Sequence, residues 1–137
     1  MIKISVCDDD EGQLTFFKQC FMEYNEKHKE KIEANFYQSV QSLLNEKKFS
    51  PDVYFLDIEL QDGNGLKLAG KIRTRNSKIP IVFITSHEEF MPEAFHVHAY
   101  QYLNEKKNAQ AVENVLNQLA DYFSEQNQIF SFQTYGE

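Results

Sequence analysis

Five times along this chain a short apolar run gives way to a segment with the spacing of one helix face. The first run is Ile2 to Cys7. It leads through Asp8-Asp9-Asp10 into Leu14, Phe17, Phe21 and Tyr24, which recur every three or four residues as a buried helix stripe does. The second run, about Ile32 to Tyr37, precedes a short helix with Val40, Leu43 and Leu44 inward. The third, Val53 to Leu56, ends in Asp57. Gly63 and Gly65 then punctuate a loop before a helix from about Leu66 to Arg75. The fourth, Pro80 to Ile84, ends in Thr85-Ser86, with a helix around Pro92 to His98 behind it. The fifth, Tyr100 to Leu103, is followed by a long helix carrying Val112, Val115, Leu116, Leu119 and Phe123.

Strands that alternate with helices pair in parallel through right-handed crossovers. The first, third and fourth runs are almost continuously apolar, as strands covered on both faces must be. The pattern predicts an α/β fold of the flavodoxin-like kind, a doubly wound five-stranded parallel sheet in the order 2-1-3-4-5, with its site beyond the carboxyl ends of the strands. Proline is tolerated in a helix's first turn but costs about 3 kcal/mol in its interior. The fourth helix therefore starts near Pro92, and Ser86 to Phe90 form a separate turn. After Phe123 the register changes. SEQNQ is polar and IFSFQTYGE alternates, which predicts a linker and a lone strand over 124–137, outside a domain of residues 1–123.

Composition removes several function classes. A chain of 137 residues, 42% apolar, is enough for one core. Its net charge of -7 argues against direct binding of nucleic acid, whose phosphates need clustered Lys and Arg. No apolar run approaches the roughly 20 residues of a membrane helix. MIKISVC is too abrupt for a signal peptide, so a cytoplasmic location is expected. Cys7 and Cys20 offer neither a disulfide framework nor metal-ligand spacing.

The chemistry gathers at the strand ends. The first strand delivers Asp8 and Asp9, the third Asp57, the fourth Thr85, and the fifth is followed by Glu105, Lys106 and Lys107. In a parallel sheet these ends share one edge. Carboxylates converging there repel unless a hard divalent cation joins them, and carboxylates with water suit Mg2+. Phosphoryl transfer needs a nucleophile, charge neutralisation and donors for the peripheral oxygens. Asp57 has the chemistry of the nucleophile, Thr85 offers a hydroxyl, and a lysine nearby could pair with phosphate. Asp10 reads instead as the cap of the first helix, with Gln13 three residues on.

With these residues in order, the chain resembles the receiver domains of bacterial response regulators over about residues 2–123. ISVCDDD, VYFLDIELQDGNG and IVFITSH carry the likeness. SVCDDDEGQ, LDIEL, NGLKLA, ITSHEEF and AFHVHAYQYL are most similar to the LytTR subgroup (LytR/AlgR-like). The resemblance implies a phosphoacceptor switch rather than an enzyme, with Asp57 phosphorylated by a sensor histidine kinase. Mg2+ would be held by Asp9, Asp57 and the backbone carbonyl of Glu59, with Asp8 acting through water. Thr85 and Tyr102 would be the switch pair. It further implies a homodimer through helix 4, strand 5 and helix 5, and control of transcription. DNA would be contacted only by a LytTR-type effector domain whose first strand begins in the tail.

Two positions depart from the family pattern. Gln61 stands where proline is frequent. Glu105 stands where the family places its lysine, and no proline follows it. Lys106, one residue later, is then the candidate phosphate partner. Glu105 also supports a second reading, a pseudo-receiver that acts as a phosphorylation-independent interaction module. A metal-dependent phosphatase is a third class, but Glu59 occupies the place of the second acid such enzymes use.

Overall fold

The computed structural model describes residues 1–104 and 107–135. In chain order its elements are β1 (Ile2–Cys7), α1 (Glu11–Lys27), β2 (Ile32–Tyr37), α2 (Val40–Leu44), β3 (Val53–Asp57), β4 (Glu59–Leu60), β5 (Gly63–Asn64), α3 (Gly65–Arg75), β6 (Ile81–Thr85), a 3-10 turn (Glu88–Phe90), α4 (Met91–His96), β7 (Gln101–Asn104) and α5 (Ala109–Tyr135). The main sheet has five strands in the order β2-β1-β3-β6-β7, every pair parallel. With the small β4–β5 hairpin set aside, this is the 2-1-3-4-5 order expected from the alternation.

Each face of the sheet has its own core. Ile4, Val6, Val53, Phe55, Val82 and Ile84 face α1 and α5. Leu56, Ile81 and Phe83 face α2, α3 and α4. The α1 stripe supplies the aromatics of the first core: Phe17 and Phe21 stand edge-on to Phe55, with ring centroids 5.7 and 5.8 Å away. That geometry suits aromatic quadrupoles and adds to the burial itself.

Proline and the left-handed region set the limits of α4. Pro92 sits in its first turn, after the 3-10 turn, as the sequence predicted. The helix stops at His96 rather than His98. His98 has φ 55°, its N–H bonds the carbonyl of Phe95 at 3.0 Å, and the Ala99 N–H bonds that of Ala94 at 3.1 Å. That double closure ends a helix.

Two expectations need correction. The loop after Asp57 contains an antiparallel hairpin, Glu59↔Asn64 and Leu60↔Gly63, which its polar composition concealed. And the lone strand expected near the C-terminus is absent among the described residues: α5 runs unbroken to Tyr135. No Gly or Pro stands between Asn108 and Gly136, so nothing breaks the helix once the stretch buried from Val112 to Leu119 has nucleated it. The alternation in IFSFQTYGE is overridden by that continuity.

Candidate functional site

Strand register sets Asp8 and Asp57 side by side. Cys7 pairs with Leu56 and Asp57 with Ile84. The next residue in each strand line, Asp8 on one side and Thr85 on the other, therefore flanks Asp57 at the sheet edge. One carboxylate oxygen from each of Asp8, Asp9 and Asp57 lies within 4.8 Å of the others. They open into a cleft of about 470 Å³ that is also lined by Gln13, Glu59, Gln61, Thr85 and His87. The sequence thus named the three acids and the hydroxyl that the fold brings together.

Local bonds hold the acids in place. Asp10 caps α1, accepting from the Gly12 N–H at 2.9 Å, while its own N–H donates to Asp8 Oδ1 at 2.9 Å. The reciprocal half of the capping box is not made: Gln13 is buried and lines both the cleft and a small pocket with Asn104, Lys107 and Asn108. Behind Asp57 the chain folds tightly over itself. Gly65 N–H donates to the Ile58 carbonyl at 2.8 Å, and a β-carbon on Gly65 would fall 2.1 Å from the Asp57 carbonyl oxygen. Only glycine permits that approach. Asp62, in the same loop, accepts from the N–H groups of Val40 and Gln41 at 2.9 and 3.0 Å, tying the loop to the start of α2.

The electrostatics follow from crowding. Burial, then the charges of Asp8 and Asp9, push the Asp57 carboxyl well above its ordinary range. Burial pushes Asp8 in the same direction. Burial likewise raises the Cys7 thiol to about 12, which leaves it an inert member of the core.

Thr85 is buried at the strand end, and its Oγ1 accepts from the His87 N–H at 3.2 Å. The hydroxyl of Tyr102 donates to the His87 carbonyl at 2.5 Å. One loop residue therefore touches both members of the expected switch pair. The His87 ring stands 3.4 Å from a Glu59 oxygen across the cleft mouth. Sequence reading missed His87, which belongs to no strand-end acid or hydroxyl pattern, and with it the approach of His87 to the Glu59 side chain. Glu105 and Lys106 lie outside the described residues. Lys107 has φ 46°, and its Nζ lies over the first turn of α1, 3.6 Å from where a β-carbon on Gly12 would be.

Comparisons with known proteins agree with this geometry. Residues 4–117 match the response regulator receiver domain family. A response regulatory protein of Yersinia pestis is 29% identical over 120 residues, covering 88% of this chain and 49% of the relative. The sensory transduction protein LytR of Staphylococcus haemolyticus is 32% identical over 95 residues, covering 69% and 36%. The chain thus spans about half or less of the length of these relatives. Among solved structures, a beryllofluoride-activated DrrB receiver domain superposes with a TM-score of 0.75 at 20% identity, covering 88% of this chain and 98% of that one. The Thermotoga maritima regulator TrrA, solved with Mg2+ and beryllofluoride, gives 0.74 at 21%, covering 87% and 99%.

Proposed function

This chain belongs to the response regulator receiver family of two-component systems, and from that premise we propose that it accepts a phosphoryl group on Asp57 from a sensor histidine kinase. The carrying observation is the convergence of Asp8, Asp9 and Asp57 within 4.8 Å at an open cleft. The donor set fits Mg2+, since it is all carboxylate and carbonyl oxygen. Asp9, Asp57 and the Glu59 carbonyl would hold the ion directly and Asp8 through water. When bound it supplies neutralisation of the charge gathered at the cleft.

In the transfer an ionised Asp57 oxygen attacks phosphorus. A carboxylate–phosphorus bond forms, the bond from phosphorus to the donor's histidine nitrogen breaks, and its electron pair stays on that nitrogen. Without a cation, burial and the neighbouring acids favour the protonated, unreactive form of Asp57; the charge of a bound Mg2+ would oppose that and free the carboxylate. Thr85 is poised to give its hydroxyl to the phosphoryl group by releasing the His87 N–H. Because Tyr102 is bonded to the same residue, the movement reaches β7. Lys106 remains the proposed phosphate partner from sequence; Lys107, over the first turn of α1, is a neighbour that can replace it.

The output proposed is a symmetric homodimer through α4, β7 and α5, tightened by phosphorylation and linked to a LytTR-type DNA-binding domain C-terminal to α5 in a cytoplasmic regulator. Met91 and Phe95, 39% and 74% exposed on α4, support a surface that awaits a partner. Glu105 favours a second reading, the pseudo-receiver. One experiment separates them. Incubation with acetyl phosphate and Mg2+ should add one phosphoryl group by intact mass, lost with hydroxylamine and absent in Asp57→Asn. An unmodified wild-type protein would favour the pseudo-receiver, and modification that survives Asp57→Asn would refute the acceptor assignment.

A further inference from the structure

The cleft is lined by a buried donor without a partner among the described residues. Gln13, in the first turn of α1, is 4% exposed, and its Nε2 has no hydrogen-bond partner among the described residues. It lines the same cleft as Asp8, Asp9, Asp57 and Thr85. A buried N–H without an acceptor destabilises the fold, and native structures hold few of them. The buried neighbours Asp8 and Thr85 both have partners. Gln13 is also not needed as a cap, since Asp10 bonds Gly12 and Asp8 on its own.

We propose that Gln13 Nε2 is a donor to a peripheral oxygen of the phosphoryl group on Asp57, an inference that rests on Asp57 being the acceptor. A phosphoryl group brings several strong acceptor oxygens into the cleft. A bond from a fixed donor to such an oxygen is charge-assisted and short. A donor already desolvated and held by its helix needs little reorganisation when charge arrives. An amide does this without adding a cation to the acidic pocket. Its placement also makes chemical sense of the orphan: among the described residues Nε2 has no acceptor, and a phosphoryl group would supply one.

The test uses two readouts that a structural role would move together. Gln13→Leu and the unbranched Gln13→Met remove the donor and keep the volume. Their thermal midpoints should equal or exceed the wild type, because an unsatisfied buried group is gone. Their rate of Asp57 phosphorylation by acetyl phosphate, and their affinity for beryllofluoride with Mg2+, should fall about ten-fold, the loss of one good hydrogen bond. In the wild type the side-chain amide resonance of Gln13 should shift when beryllofluoride binds. Unchanged phosphorylation in the variants, an unmoved resonance, or loss of stability in both variants would each overturn the proposal while leaving Asp57 as acceptor. A wild type that takes up no phosphoryl group would instead remove the reading beneath it.

Discussion

The middle of the sheet and its carboxyl edge are built from the same strands and obey opposite rules. Val6, Phe55 and Ile84 are fully buried and apolar. Within two residues along the same strands stand Asp8, Asp57 and Thr85. Each apolar side chain in the middle contributes about 1.5–3 kcal/mol by leaving water. At the edge, like charges crowd, and the Gln13 amide nitrogen has no partner among the described residues. The edge can hold groups that disfavour folding because the middle of each strand fixes its register. The site is therefore where the chain departs from the rules that build its core, as functional sites commonly do.

The largest expected effect comes from breaking the middle. Phe55→Ala removes the ring against which both Phe17 and Phe21 pack. It should cost about 3–5 kcal/mol, a large share of the roughly 5–15 kcal/mol typical of a domain. Urea unfolding followed by circular dichroism measures it; a loss below about 1 kcal/mol would mean that the two regions do not differ as described. At the edge the sign reverses. Asp57→Asn should stabilise the cation-free protein at neutral pH, on the order of 1–3 kcal/mol, because folding no longer has to bury, and keep protonated, a carboxyl crowded by Asp8 and Asp9. The same substitution should abolish phosphoryl uptake. A destabilised Asp57→Asn would show that the carboxylates are already compensated within the chain.

The edge should also respond to pH where the middle does not. The Asp57 carboxyl is raised from 3.8 to about 8, by burial first and then by Asp8 and Asp9. The folded state thus holds this proton more tightly than the unfolded chain. Its contribution to stability is full below about pH 4 and is lost as pH rises through about 8. Glu46 and Asp62 are shifted downward by backbone N–H groups, so their contributions fade only on acidification, below that interval. Thermal midpoints in chelator should therefore fall between pH 5 and 8 more steeply for wild type than for Asp57→Asn; parallel profiles would contradict the assignment. Mg2+ at about ten times its dissociation constant should restore about 1.4 kcal/mol at the alkaline end, and Asp9→Ala should lose that gain.

Most of the middle was legible in the sequence and part of the edge was not, for a physical reason. Apolar periodicity reports what a residue buries. It found the strand that carries Phe55 and the helix stripe that meets it. It also located Asp8, Asp57 and Thr85, because chain order in a parallel sheet fixes which residues end strands. His87 could not be found that way, since its contacts to Thr85 and Tyr102 run through a loop whose path no period encodes. Gln13 was visible as a residue but read only as a capping partner; that bond is not made, and Gln13 lies buried at the cleft. The β4–β5 hairpin depends on the Asp62 bonds to α2 and on the close approach at Gly65. Both are long-range consequences of packing.

The smallest effect should come from a third region that is neither middle nor edge. α5 spans 27 residues, about 40 Å at 1.5 Å per residue. Among its described side chains the buried contacts, Val112, Val115, Leu116 and Leu119, lie in the first half, with Phe123 packed against them. Ser124 to Asn127 are exposed. A helical segment shorter than about 12–15 residues is marginal in water on its own, so the tail is helical chiefly because α5 has already nucleated it. Cutting after Ser124 should therefore shift the thermal midpoint by no more than about 2 °C, the size of a few tenths of a kcal/mol in a domain of this length. The far-ultraviolet helical signal should still fall by the share of the residues removed. The two readouts together make the test sharp. A midpoint loss of many degrees would mean that the tail packs on the receiver core. An unchanged helical signal would mean that the tail is not a helix in solution, and the reading of 124–137 as linker and strand would regain its ground.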